Sequence, residues 1–177
     1  AGTFTKNLVK AAPVLWDKKV TDAGVAQAVV INTGIANACT GQAGYENAAE
    51  TAKLAGEALN ISSDTVLVAS TGVIGFTLPM DVITDGVKKL SGMLKSDVQS
   101  AQDAAEAILT TDTHPKQIAY ETTIGGKTVT FGAMCKGSGM IHPNMGTMLG
   151  FIMTDAAISK NLLDKALKGS IEDTFNM

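Results

Sequence analysis

The residues with most to say about chemistry lie in Lys136-Gly-Ser-Gly-Met-Ile-His-Pro-Asn-Met-Gly146-Thr147-Met148-Leu149. Thr147 follows a glycine at the mouth of an apolar run, the place for a threonine nucleophile and for a peptide bond that cuts itself. A threonine hydroxyl attacks poorly until a base takes its proton. An N-terminal threonine carries that base in its own α-amine, with an ordinary pKa of about 7.7 to 8, near working pH. Making such a terminus requires attack on the Gly146 carbonyl and hydrolysis of the resulting ester. Glycine leaves that carbonyl unshielded and its backbone free. Read from its own neighbourhood, Thr147 is more simply a strand-start threonine satisfied by a local backbone bond. Lys136, eleven residues earlier, can meet Thr147 across the intervening loop. Its ammonium could then bind a substrate carboxylate or steady negative charge; a solvated surface lysine is the plain alternative.

Two further segments offer polar groups. Thr71-Gly72 ends a short apolar strand, where a hydroxyl and a backbone N–H suit an oxyanion hole; an ordinary turn is the alternative. Thr110-Thr-Asp-Thr113 could present a hydroxyl to a bound amino acid, or bond its own backbone. No phosphate-binding glycine fingerprint occurs. Cys39, His114, Cys135 and His142 are too scattered for a zinc knuckle, so no metal and no cofactor are expected. Gly137-Ser138-Gly139 is too short for a nucleophile elbow, which leaves Ser138 a weak rival to Thr147.

The elements that must position these groups follow from periodicity and turn residues. Residues 26–32 read as a β-branched strand, 33–44 as a Gly- and Asn-rich loop, and 45–59 as an Ala-rich helix. A strand over 65–69 leads into a second glycine loop at 70–75. Pro79 opens a helix over 80–93, and a further helix spans 97–109. Residues 117–124 and 127–134 form a hairpin about Gly125-Gly126, which supplies the positive φ angles of a two-residue turn. A strand at 148–153 and a helix at 156–167, capped by Thr154-Asp155, complete the pattern. The mixed order predicts an α+β chain, a layered α/β sandwich of mixed sheets flanked by helices.

Composition narrows the partners. At 177 residues and 45% apolar, one domain (1–177) is the default. The net charge is −3 and every basic residue is lysine, with no basic face, which argues against nucleic acid. Without arginine, a substrate carboxylate must be held by lysine, hydroxyls or backbone N–H groups. Two cysteines suit a reducing compartment. No run reaches the ~18 apolar residues of a spanning helix, so no membrane partner is expected and the cytoplasm is the simplest location. Both ends read as interruptions, as if the chain were a segment of something longer.

Four motifs give the chain a resemblance. They are Lys10-Ala-Ala-Pro-Val14, Ile31-Asn-Thr-Gly-Ile-Ala-Asn-Ala-Cys-Thr-Gly41, Val68-Ala-Ser-Thr-Gly-Val-Ile-Gly75 and the Lys136–Leu149 stretch, with Thr110-Thr-Asp-Thr113 a weaker fifth. In order and spacing the chain resembles the glutamate N-acetyltransferase / ornithine acetyltransferase family of arginine biosynthesis. The resemblance implies that the precursor cuts itself between Gly146 and Thr147, where many members have alanine before the threonine. It implies that Thr147 carries the acetyl group, that Thr71 and Gly72 form the oxyanion hole, and that Thr110, Lys136 and Thr147 contact substrate. Acetyl then passes from N2-acetylornithine to glutamate in a ping-pong cycle, and some members also accept acetyl-CoA. Members are much longer. The later part of such a precursor supplies a second chain with further site residues, and members look like assemblies of paired processed chains. This segment alone is therefore expected to be incomplete and inactive. Two other readings stay open: a related N-terminal-nucleophile aminopeptidase or amidase, and a non-catalytic amino-acid-binding segment.

Overall fold

The structure, a computed structural model, describes residues 1–142 and 146–177. They form two compact units, residues 1–97 and 98–177.

In the first unit two parallel strands, β1 (Ala28–Ile35) and β2 (Val66–Val73), pair in register from Ala28 opposite Val66 to Ile35 opposite Val73. Parallel neighbours need a crossover, and helix α2 (Gly41–Leu59) provides it. Its buried face is Gly44, Ala48, Thr51, Ala52, Ala55 and Gly56, small residues at helical spacing. Of these, Ala48, Ala52 and Ala55 pack with Val66 and Val68 of β2 and with Ala12, Trp16 and Val20 of helix α1 (Ala12–Ala23). Helix α3 (Met80–Ser91) adds Val87 to the same core.

Helix α1 lies outside the elements expected from periodicity. Pro13 occupies its first turn, and Gly24 at φ 89° closes it in the left-handed conformation. Among the described residues the sheet has two strands, and α1 serves β2 with side chains where a third strand would offer backbone. Trp16 Nε1 donates to the Val66 carbonyl at 2.9 Å, and Asp17 Oδ1 accepts from the Val68 N–H at 2.8 Å. Burial pushes the Asp17 carboxyl up to about 7, the Val68 hydrogen bond offsetting only part of that shift.

Both strands run further than expected, through the segments read as glycine loops. The ladder persists because Gly34 and Gly72 lie opposite each other. Gly72 has φ 129°, and a Cβ on it would overlap the Gly34 backbone. Backbone meets backbone there, an approach open only to glycine. Beyond β1, Asn37 is fully buried at φ 48°. Its Nδ2 donates to the Gly44 carbonyl at 2.8 Å and its own carbonyl accepts from Ala12 N–H at 3.1 Å, tying the starts of α2 and α1 together.

The second unit holds helix α4 (Val98–Ala107), an antiparallel sheet of β3 (Lys116–Ile124), β4 (Lys127–Lys136) and β5 (Leu149–Thr154) with β4 central, and helix α5 (Lys160–Ser170). The hairpin turn is as expected: Gly125 and Gly126 have φ 60° and 77°. The final helix differs. It starts at Lys160 rather than 156, and Thr154 and Asp155 do not cap it. Thr154 Oγ1 donates to the Thr130 carbonyl and Asp155 Oδ1 accepts from the Thr130 N–H, each at 2.8 Å. Those groups fasten the end of β5 to β4. The architecture is thus the expected mixture of parallel and antiparallel sheets with helices. Among the described residues, no helix is long and apolar enough to cross a membrane.

Candidate active site

The strand register gathers three segments at one end of the antiparallel sheet. Lys116 opens β3 opposite Cys135, and Lys136 closes β4 opposite Leu149, the first residue of β5. The residues before β3, after β4 and before β5 therefore share that end: Thr110–Thr113, Gly137–Gly139 and Thr147-Met148. Lys136 thus stands opposite the residue two places after Thr147.

Lys136 is 5% exposed. Its Nζ donates to Thr110 Oγ1 at 2.6 Å and stands 3.9 Å from Asp112 Oδ2. The Asp112 side chain is wholly buried. Its Oδ1 accepts from Lys116 Nζ at 2.5 Å and from the Gly137 N–H at 2.9 Å. Burial acts to raise this carboxyl, but the hydrogen bonds from Lys116, Gly137 and Thr110 and the Lys116 charge prevail and hold it at about 2. Asp112 is thus an anion at any ordinary pH. Beside it, Thr111 Oγ1 accepts from the Gly139 N–H at 3.3 Å, so consecutive residues of one turn grip the start of the loop leading to Thr147.

Thr147 is exposed. Its Oγ1 donates to the Met140 carbonyl, the local backbone bond that a purely structural threonine also makes. The residue before it is held on both sides of its peptide unit. Gly146 N–H donates to the His142 carbonyl at 2.9 Å, and the Gly146 carbonyl accepts from the Met148 N–H at 2.9 Å. A Cβ on Gly146 would overlap the His142 backbone, so the observed conformation requires glycine. The centre of the motif, residues 143–145, lies outside the described residues.

Thr71 and Gly72 belong to the first unit, at the C-terminal end of β2, with Thr71 buried and Gly72 exposed. They have an in-register twin in Thr33-Gly34 of β1. Just before them, Ser70 Oγ donates to Asn32 Oδ1 at 2.6 Å, and Asn32 Nδ2 donates to the Ile35 carbonyl at 2.8 Å. The structure thus unites Thr110 and Lys136 by a direct hydrogen bond and sets Thr147 at the same sheet end. Ser138 is an exposed residue of the same loop. Sequence reasoning passed over Asp112 and Asn37. The trace of Asp112 was an acid among threonines, four residues before a lysine that opens a strand. His114 Nδ1 lies 3.0 Å from Thr113 Oγ1, and among the described residues no group of His, Cys, Asp or Glu could hold a metal ion.

Comparison with known families settles kinship, since the whole chain, residues 1–177, matches the ArgJ family model. The chain belongs to the ArgJ family. It is 55% identical over 177 residues to the arginine biosynthesis bifunctional protein ArgJ of Symbiobacterium thermophilum, covering 100% of this chain and 44% of that protein. It is 51% identical over 176 residues to the ArgJ of Lactococcus lactis, covering 99% and 43%. The chain therefore spans less than half the length of these curated relatives. Among solved structures, it is similar to the arginine biosynthesis bifunctional protein ArgJ of Bacillus halodurans, with TM-score 0.75 and 44% identity over 84% of this chain and 76% of that one. It is also similar to the ornithine acetyltransferase of Mycobacterium tuberculosis complexed with ornithine, with TM-score 0.73 and 38% identity over 84% and 77%. The mixed α/β architecture described above is the ArgJ fold.

Proposed function

We propose that this chain is the nucleophile-bearing part of an acetyltransferase of arginine biosynthesis that moves acetyl from N2-acetylornithine to glutamate. Thr147 Oγ attacks the Gly146 carbonyl carbon, and the Gly146–Thr147 C–N bond breaks to leave an ester and a free α-amine. Water then hydrolyses the ester. In turnover the α-amine takes the hydroxyl proton, Oγ attacks the acetyl carbonyl, and the amide bond of acetylornithine breaks as its nitrogen is protonated and ornithine leaves. The glutamate amine attacks the acetyl-threonine ester, giving N-acetylglutamate and restoring the hydroxyl. Thr71 and Gly72 stabilise the oxyanions, and Thr110 and Lys136 contact the substrate. Acetyl-CoA serves as an additional donor in this reading. The remaining length seen in the relatives supplies a second chain that completes the site, in an assembly of paired processed chains.

The observation that carries the reading is the Lys136–Thr110 hydrogen bond of 2.6 Å at the sheet end where exposed Thr147 lies two residues before β5. It supports a cation and a hydroxyl shared between two segments beside the nucleophile. The ornithine in the Mycobacterium tuberculosis relative supports the substrate class. Mass spectrometry of the full-length protein is expected to give two chains, the second starting at Thr147, and Thr147→Ala is expected to stay whole. A Thr147→Ala protein that still splits at this bond overturns the mechanism. Acetate release outrunning transfer to glutamate would instead make the protein an amidase.

A further inference from the structure

We propose that Asp112 is a positioning residue of this site, its Oδ1 anchoring the start of the nucleophile loop at Gly137 and its Oδ2 holding the Lys136 ammonium where a substrate carboxylate is received. The inference rests on the substrate contact proposed above for Lys136.

Three observations carry it. Asp112 has no exposed side-chain surface, and a buried carboxylate persists only where positive charge and hydrogen bonds compensate it. Its two oxygens face different partners. Oδ1 takes Lys116 Nζ and the Gly137 N–H, whereas Oδ2 has no hydrogen-bond partner among the described residues and stands 3.9 Å from Lys136 Nζ. Lys136 itself is almost wholly enclosed, and a buried ammonium is costly without a counter-charge close by. Asp112 thus joins in one side chain the lysine that reads substrate and the loop that ends at Thr147. It touches neither substrate nor reacting atoms in this arrangement.

D112N separates the two roles. The asparagine oxygen still accepts from Gly137, while its NH₂ group faces Lys136 and repels the ammonium. In the full-length processed enzyme, D112N is expected to raise KM for N2-acetylornithine about tenfold, the scale of one hydrogen bond to a charged group. Its kcat should stay within about twofold, because the nucleophile is unchanged. K136M, measured in parallel, is expected to raise KM, and D112N/K136M to raise it no further than K136M alone. D112N at the wild-type KM while K136M raises it overturns the inference and leaves the proposed function standing. K136M at the wild-type KM overturns the substrate contact and the inference with it. A D112N enzyme that loses kcat with KM unchanged also overturns the inference. Should D112N not fold, D112E makes the same test by displacing the charge one methylene: KM raised with kcat retained supports the role, and an unchanged KM refutes it.

Discussion

Lys116 and Lys136 face the same carboxylate from opposite oxygens, yet they differ in kind. Lys116 is partly exposed and bonds Asp112 at 2.5 Å; Lys136 is enclosed and pairs with Thr110. Lys116→Met removes a charge-assisted bond to a buried acid and is expected to cost about 2 kcal/mol, read by chemical denaturation. Thr147→Ser keeps a hydroxyl at this position, primary in place of threonine's secondary one. It is expected to split and transfer acetyl more slowly than wild type, and a serine protein that never splits would show that the threonine methyl is needed for the cut. How Thr147 is held was partly visible beforehand, since a local backbone bond was one of its two readings. The role of Asp112 was not visible, because it depends on burial and on strand register, which a run of threonines does not reveal.

At the scale of elements, the contact between β1 and β2 separates two glycines of the same segment. Gly72 and Gly75 both have positive φ, but a Cβ meets the Gly34 backbone at Gly72 and nothing within 4 Å at Gly75. Gly75→Ala is expected to cost about 1 kcal/mol of backbone strain. Gly72→Ala adds a steric clash and should cost at least ~2 kcal/mol; equal melting temperatures for the two variants would refute the close-approach account. The same contact explains why the strand ends were misjudged. Thr-Gly-Ile and Thr-Gly-Val look like loops singly and become ladder only when opposed. The 125–126 hairpin was legible because its turn chemistry is local. Helix α1 left a signal in Ala12, Trp16 and Val20, four apart, but its pairing of side chains with β2 did not. Thr154-Asp155 carries good capping residues that found cross-strand partners instead.

For the molecule as a whole, two carboxyls set opposing acid responses in the two units. Asp17 has a folded pKa raised to about 7 from 3.8. The folded first unit therefore binds more protons than the unfolded chain between those values, and its stability falls as pH rises from about 4 to about 7. Asp112 is held at about 2. Its contribution to the second unit is full above about 4 and is lost as pH falls through about 2. D17N, which keeps an acceptor for Val68, is expected to flatten the neutral-side slope, seen as equal denaturation midpoints at pH 5 and pH 8. A slope that survives D17N would assign it elsewhere.

The sequence contains one tryptophan, and Trp16 lies in the core of residues 1–97 with its indole N–H on the Val66 carbonyl. Tryptophan emission therefore reports directly on that unit, whereas Thr147 resides in residues 98–177, which carry no indole. An emission trace reads the surroundings of the Gly72 and Asp17 variants directly, and a Lys116 variant has no indole in its own unit. An indole placed in residues 98–177 would give that unit a lamp of its own.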